Sequence, residues 1–277
     1  MRELILAPKN RITQGTIFCG VKSPYTKKNS YGLCITARCD TAREFKASTL
    51  SFVNIVSFEE WVEFEAFQKV KSDLVKECTS VIRKLLLEKT NTSVLIDSFG
   101  IEKAIEIIES KKNPDLVEVE KTKNFQNAKE KFLESFCVFS RIENIPKNLS
   151  IKIKEEVRKL IKGGLGDYFY LEKISNQNDH FNGNGFVALL RSIYSIDRLH
   201  ALCIPSGMDG SYISKNGLSD RFCHNEDDLV YLIGELKSPY IERVMQNLTL
   251  LFGRIGLPDI SDDFSGKVIN NIGGAAK

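Results

Sequence analysis

An α+β architecture is what this sequence predicts, and three observations carry that reading. Residues 1–56 hold short apolar runs separated by turns. They lie too close together for crossover helices, so strands there should pair antiparallel. From Phe58 the apolar residues recur at spacings of three and four, the mark of amphipathic helix, as far as about residue 162. After Gly166, aromatic and β-branched runs return. The expected layout has three parts. Residues 1–57 form a small antiparallel β-module, compatible with an SH3-like barrel. Residues 58–162 are a helical insertion. Residues 163–277 supply further strands and two closing helices, and share a core with 1–57.

The β-module rests on local signals. Gln14-Gly15 is a turn ahead of the strand pattern Thr16–Val21, and Ser23-Pro24 with Lys27-Lys28-Asn29-Ser30 makes a polar loop. The stretch Gly32–Val56 then holds two apolar runs, Leu33–Thr36 and Leu50–Val56, either side of a charged connection. That pattern reads as strand, turn and return strand.

The helical part begins with Phe64, Phe67, Val70, Leu74, Cys78, Val81, Ile82, Leu85 and Leu86, which place one long helix over 59–89. Val94–Ile96 reads as a short strand or an entry segment. A second helix over 100–112 follows, capped by Asp97-Ser98 and ended by Asn113-Pro114. Further helices fit 123–139 and the segment from Ser150 to Gly163-Gly164. Their mixed Lys and Glu at helical spacing suits a solvated face.

In the last third, residues 167–174 and 186–196 read as strands, with 199–204 continuing the second. Ser175–Gly185 and Pro205–Gly217 are turn-rich loops. Asn225 and the acidic residues after it predict a helix over 226–236. The final helix, 239–255, has a stripe of Ile241, Val244, Leu248, Leu251 and Phe252, and Gly256-Leu257-Pro258 closes it.

Composition narrows the function classes. Hydrophobic residues make 42% of the 277 and charged residues 27%, ordinary values for a globular chain. No apolar run approaches the roughly 20 residues of a membrane helix, and the N-terminus lacks a signal-peptide core. The seven cysteines are odd in number and irregular in spacing, which fits reduced thiols in a cytoplasmic protein. Cys34, Cys39, Cys223 and His224 lack zinc-site spacing, so no metal is assigned. No cofactor is implied either, since neither a phosphate-binding glycine loop nor a dinucleotide fingerprint is present. Charge is uneven: the formal net is +6 over 1–56, +1 over 57–162 and −4 over 163–277. A basic first segment suits phosphate or an acidic partner.

The candidate binding residues are Arg38, Cys39, Asp40, Arg43 and Lys46, gathered on the connection between the two apolar runs. Asp40 as a base and Arg38 as a phosphate holder would suit metal-free RNA cleavage. Cys39 beside Arg38 would suit a nucleophile. The same residues also make a plain turn, with Asp40 paired to Arg38 and Cys39 facing inward. No catalytic residue is assigned. The histidines, His180, His200 and His224, have no spacing that links them to a nucleophile.

Two resemblances add to this. Residues 32–56, GLCITARCDTAREFKASTLSFVNIV, and residues 236–260, LKSPYIERVMQNLTLLFGRIGLPDI, resemble segments of uncharacterised bacterial proteins encoded on mobile elements and phage-defence islands. The first part, from Gln14-Gly15-Thr16-Ile17-Phe18 through Leu50–Val56, also resembles the SH3-like barrel of PemK/Kid-type ribonuclease toxins. The catalytic region of those toxins falls where this chain enters its first helix, so only their barrel is implied. The first resemblance implies a non-enzymatic component of a defence or mobile-element system that acts through protein partners. The second implies nucleic-acid binding or RNA cleavage.

Overall fold

The computed structural model describes residues 5–6, 10–41, 46–91, 93–110, 114–136, 146–174, 184–223, 225 and 228–253. The fold is α+β, centred on a curled sheet of seven strands. In chain order its strands are β1 (Ile5–Leu6), β2 (Thr16–Lys22), β3 (Asn29–Cys34), β4 (Thr49–Ser57), β5 (Tyr168–Leu171), β6 (Phe186–Asp197) and, after a small pair, β9 (Leu232–Leu236). The small pair is β7 (Met208–Asp209) with β8 (Leu229–Val230). The spatial order is β1-β9-β2-β3-β4-β6-β5, and every pairing is antiparallel. The N-terminal strands do not close on themselves: β2 pairs with β9 and β4 pairs with β6.

The helices are α1 (Phe58–Trp61), α2 (Phe67–Thr90), α3 (Val94–Glu109), α4 (Pro114–Glu120), α5 (Lys123–Glu134), α6 (Lys147–Ile161), α7 (Arg198–Ala201), α8 (Gly210–Lys215) and α9 (Tyr240–Gly253). A π turn, Val62–Ala66, links α1 to α2. Ser57 caps α1 by accepting from the Glu60 amide.

Side chains alternate across each strand, so the two sheet faces collect different partners. On one face Ile17, Leu33, Val53, Ile55, Ala188 and Leu236 are buried beneath Ile241, Val244 and Leu248 of α9. The other face carries two separate apolar layers. Phe18, Cys34, Leu50 and Phe52 pack against α7, α8 and Phe222. Val56, Val187 and Leu189 pack under Trp61, Ala66, Val70 and Leu74, with Leu149 and Ile153 of α6. The far half of α2 leaves the sheet. Its Cys78, Ile82, Leu85 and Leu86 join α3, α4 and α5 in a helical core of their own.

Bulges make this two-sided arrangement work. Gly20, at φ +82°, marks a register shift in β2, so Phe18 and Val21 reach the same layer despite their odd spacing. A Cβ at Gly20 would lie 2.6 Å from Val230 Cγ2. In β6 the register against β4 shifts between Ile193 and Ala188, which moves Ile196 to the face opposite Ala188. Gly32 is required by contact: a Cβ there would stand 2.3 Å from the Phe18 ring.

Several expectations are corrected. The second of the two predicted closing helices is present, as α9, but the first, 226–236, is not a helix. Within that segment Leu229–Val230 and Leu232–Leu236 are strands, while residues 226–227 lie outside the described residues. The run Leu-Val-Tyr-Leu-Ile suits a sheet once β1 and β2 offer edges on either side, and Gly234 lets Ile5 approach. Residues 199–204 do not prolong β6; the chain turns into α7 and then a 3₁₀ turn at Ile204–Ser206. Val94–Ile96 is helical, and α3 kinks at Gly100. α4 lies in a stretch with no predicted element, with Pro114 at its first position.

Candidate functional site

The predicted binding residues do not form a recess. Arg38 and Cys39 are exposed, as is Lys46, and Arg43 lies outside the described residues. Arg38 bridges to Glu242 of α9 at 3.3 Å, not to Asp40, and both side chains are about half exposed. A solvated pair of that kind is worth under about 1 kcal/mol. The turn itself is held by backbone: the Asp40 and Thr41 amides both donate to the Ala37 carbonyl. Cys39 faces outward, with its Sγ 3.6 Å from an Asp40 oxygen.

The concave basic surface lies elsewhere. On β4 the side chains of Leu50, Phe52, Asn54 and Val56 share one face, and Asn54 falls at the seam between the two apolar layers. Above it opens a cleft of about 250 Å³ lined by Lys22, Ser23, Lys27, Asn54, Tyr194 and Arg221, among others. Three cations against Asp220 make it electropositive. Asn54 is 1% exposed. Its Nδ2 donates to the Lys22 carbonyl at 2.7 Å, and its Oδ1 has no partner. An unpaired buried amide oxygen costs about 1–3 kcal/mol, so its retention here is notable physically.

Each wall is held in place. Lys22 Nζ donates to the Ser219 carbonyl at 2.5 Å, and the Lys22 amide donates to the Arg221 carbonyl at 2.9 Å. These bonds tie the 219–222 segment to the end of β2, where Phe222 bridges Val21. The Arg221 guanidinium sits 5.2 Å from the Tyr194 ring centroid, and Phe52 stacks on that ring as well. The 23–28 loop is anchored by Glu60, whose Oε1 accepts from Ser23 Oγ at 2.8 Å and Thr26 Oγ1 at 2.7 Å. Lys27 adopts φ +59°, a left-handed conformation that a lysine rarely takes, and it is exposed at the rim.

A second polar group braces the same corner. Glu65, on the π turn, accepts from Tyr25 at 2.5 Å and Tyr168 at 2.8 Å. Burial first, and then the Glu65 carboxylate, push both phenols well above the ordinary tyrosine range. They stay neutral donors, and the cluster is a strut between the 23–28 loop, the π turn and β5.

The remaining chemistry-bearing residues are dispersed. Cys34 is fully buried and its thiol is pushed up to about 12 by that burial. No group of three His, Cys, Asp or Glu able to hold a metal occurs among the described residues. His200 meets Tyr212, whose hydroxyl also meets Cys203, rather than Cys39. His180 and His224 lie outside the described residues. Among those residues, no helix is long and apolar enough to cross a membrane.

The sequence pointed to part of this cleft. The basic first segment contains Lys22 and Lys27, and Asn54 is the one amide within the run Leu50–Val56. A lone amide in a buried strand is the signal in the sequence that marks it. Tyr194 and Arg221 had none, because only folding brings them beside β2 and β4. The class these observations define is an α+β protein with a curled antiparallel sheet and a basic cleft on one face. No family model matches the chain, and no curated protein or solved structure proves similar to it.

Proposed function

We propose that this chain is a non-enzymatic binding protein whose cleft takes the phosphate backbone of a nucleic acid. The observation that carries the reading is the convergence of Lys22, Lys27 and Arg221 over Asn54, in a recess too small for a folded partner. Arg221 offers planar donors and Lys27 a mobile point charge, the usual pair for phosphate oxygens. Among the described residues, the lining holds no histidine or cysteine to act as base or nucleophile, which favours binding over cleavage. A defence or mobile-element setting, in which such a protein works beside protein partners, is the second reading. The exposed leucines of the α7 region, Leu199 and Leu202, favour it.

The test is fluorescence anisotropy with labelled single-stranded RNA and DNA of about 12 nucleotides, titrated at several salt concentrations. Lys27→Ala and Arg221→Ala should each weaken binding to all sequences alike and lower the salt slope by about one. Lys46→Ala, on the distant connection, should leave it unchanged. No binding at low salt, or equal binding by all the variants, would reject the cleft. Retention of a protein partner under those conditions, lost on Leu199→Ser, would shift the reading to a partner-binding role.

A further inference from the structure

We infer that Cys203 is a reactive thiol, set up by Tyr212 and His200 for exchange with low-molecular-weight disulfides. The site is independent of the basic cleft. His200 and Cys203 lie one turn apart, at α7 and just beyond it, where the Cys203 amide donates to the His200 carbonyl at 3.1 Å. Tyr212 reaches across from α8, and its hydroxyl stands 3.4 Å from Cys203 Sγ and 3.0 Å from His200 Nδ1. α8 is itself fixed, because Asp209 caps it by accepting from the Tyr212 amide at 2.7 Å. The three side chains therefore form a continuous chain from sulfur to imidazole. Cys203 is half-buried and follows the exposed Leu199 and Leu202 in the chain, so a small reagent can reach it.

The chain provides a route for the thiol proton. As Sγ attacks one sulfur of a disulfide RSSR, its proton passes to the Tyr212 oxygen, and the Tyr212 proton passes to Nδ1 of a neutral His200. The Cys203 S–S bond forms, the R–S–SR bond breaks, and the departing thiolate takes up the proton held by the imidazole. The products are the mixed disulfide at Cys203 and one RSH; the Cys203 sulfur is oxidised and the departing sulfur reduced.

Other described cysteines lack this arrangement. Cys34, Cys78 and Cys223 are buried. The Cys19 thiol donates to the Leu229 and Tyr231 carbonyls, and burial raises its pKa. Cys203 also has a carbonyl within reach, that of Leu199 at 3.3 Å, but beside it stands the Tyr212 hydroxyl that leads on to His200. Cys39 is exposed, with its Sγ 3.6 Å from an Asp40 carboxylate oxygen rather than beside a hydroxyl joined to an imidazole. Cys39 is thus an internal reference for accessibility without a proton route.

The experiment treats the full chain with oxidised glutathione at neutral pH and follows each cysteine by peptide mass spectrometry. Cys203 should be modified about 100-fold faster than Cys39, the weaker end of general-base effects. Dithiothreitol should reverse the modification. Tyr212→Phe should bring Cys203 to the rate of Cys39 and leave Cys39 itself unchanged. His200→Gln gives the same comparison should the tyrosine variant fail to fold. Equal rates at the two sulfurs, or an unchanged ratio in either folded variant, would overturn the inference.

Discussion

Glu77 joins three helices through one carboxylate. From α2 it accepts from Lys131 of α5 at 3.0 Å and from Lys152 of α6 at 2.5 Å. Hydrogen bonds from Lys152 and then Lys131 hold its pKa below the ordinary carboxylate value. A lowered folded-state pKa means that the unfolded chain binds more protons in that window. The contribution is therefore complete above the ordinary value of about 4.3 and is lost as pH falls through the lower folded value. The side chain is 39% exposed, so the effect is screened and should stay under about 1 kcal/mol. Urea midpoints of wild type and Glu77→Gln should differ at pH 6 and converge toward pH 3; a gap that persists at low pH would deny the linkage. None of this was legible beforehand. Glu77 is one of many charges on a helix face, and its partners come from positions 54 and 75 residues away. Asn54 and Arg38 teach the same lesson. An amide inside an apolar run and an arginine in a turn are visible in the sequence, but their neighbours, the cleft and Glu242, belong to other elements.

At the scale of one element, α9 matches its predicted stripe except at one residue. Ile241, Val244 and Leu248 are buried against the sheet, and Leu251 is partly buried beside them. Phe252 is 54% exposed. Spacings of three, four and three keep the first four on one stripe, whereas Phe252 falls a further 100° around the helix. Leu248→Ala should destabilise the chain by about 2–5 kcal/mol. Phe252→Ala should stay within about 0.5 kcal/mol. Thermal or urea unfolding of both variants settles the point; equal losses would put Phe252 in the core. The predicted end at Gly256-Leu257-Pro258 lies outside the described residues.

At the scale of the molecule, the sheet is assembled from both ends of the chain. β2 needs β9, and β4 needs β6, so residues 1–57 leave two edges unpaired and one apolar face without α9. A fragment of residues 1–57 should therefore lack dispersed amide signals and a cooperative unfolding transition. A folded spectrum from that fragment would instead support a self-contained barrel. The helical core of α3–α5 with the far half of α2 relies on closely spaced helices. Its contacts are mostly local, which is why its periodicity could be read directly.

The sequence by itself determined the α+β class, the long helix after Phe58, the strands β2, β4 and β6, and the apolar stripe of α9. Each rests on a period of two or of three to four, which any neighbour burying the apolar side will satisfy. Only the tertiary structure decided that the segment before α9 is a strand, that the early strands are the middle of a larger sheet, and that the basic cleft sits over Asn54. Those outcomes depend on hydrogen-bonding edges and bulges supplied by elements far away in the chain, as β2 is to β9 and β4 to β6. A short apolar run such as Leu-Val-Tyr-Leu-Ile is compatible with helix or strand until a partner edge selects one.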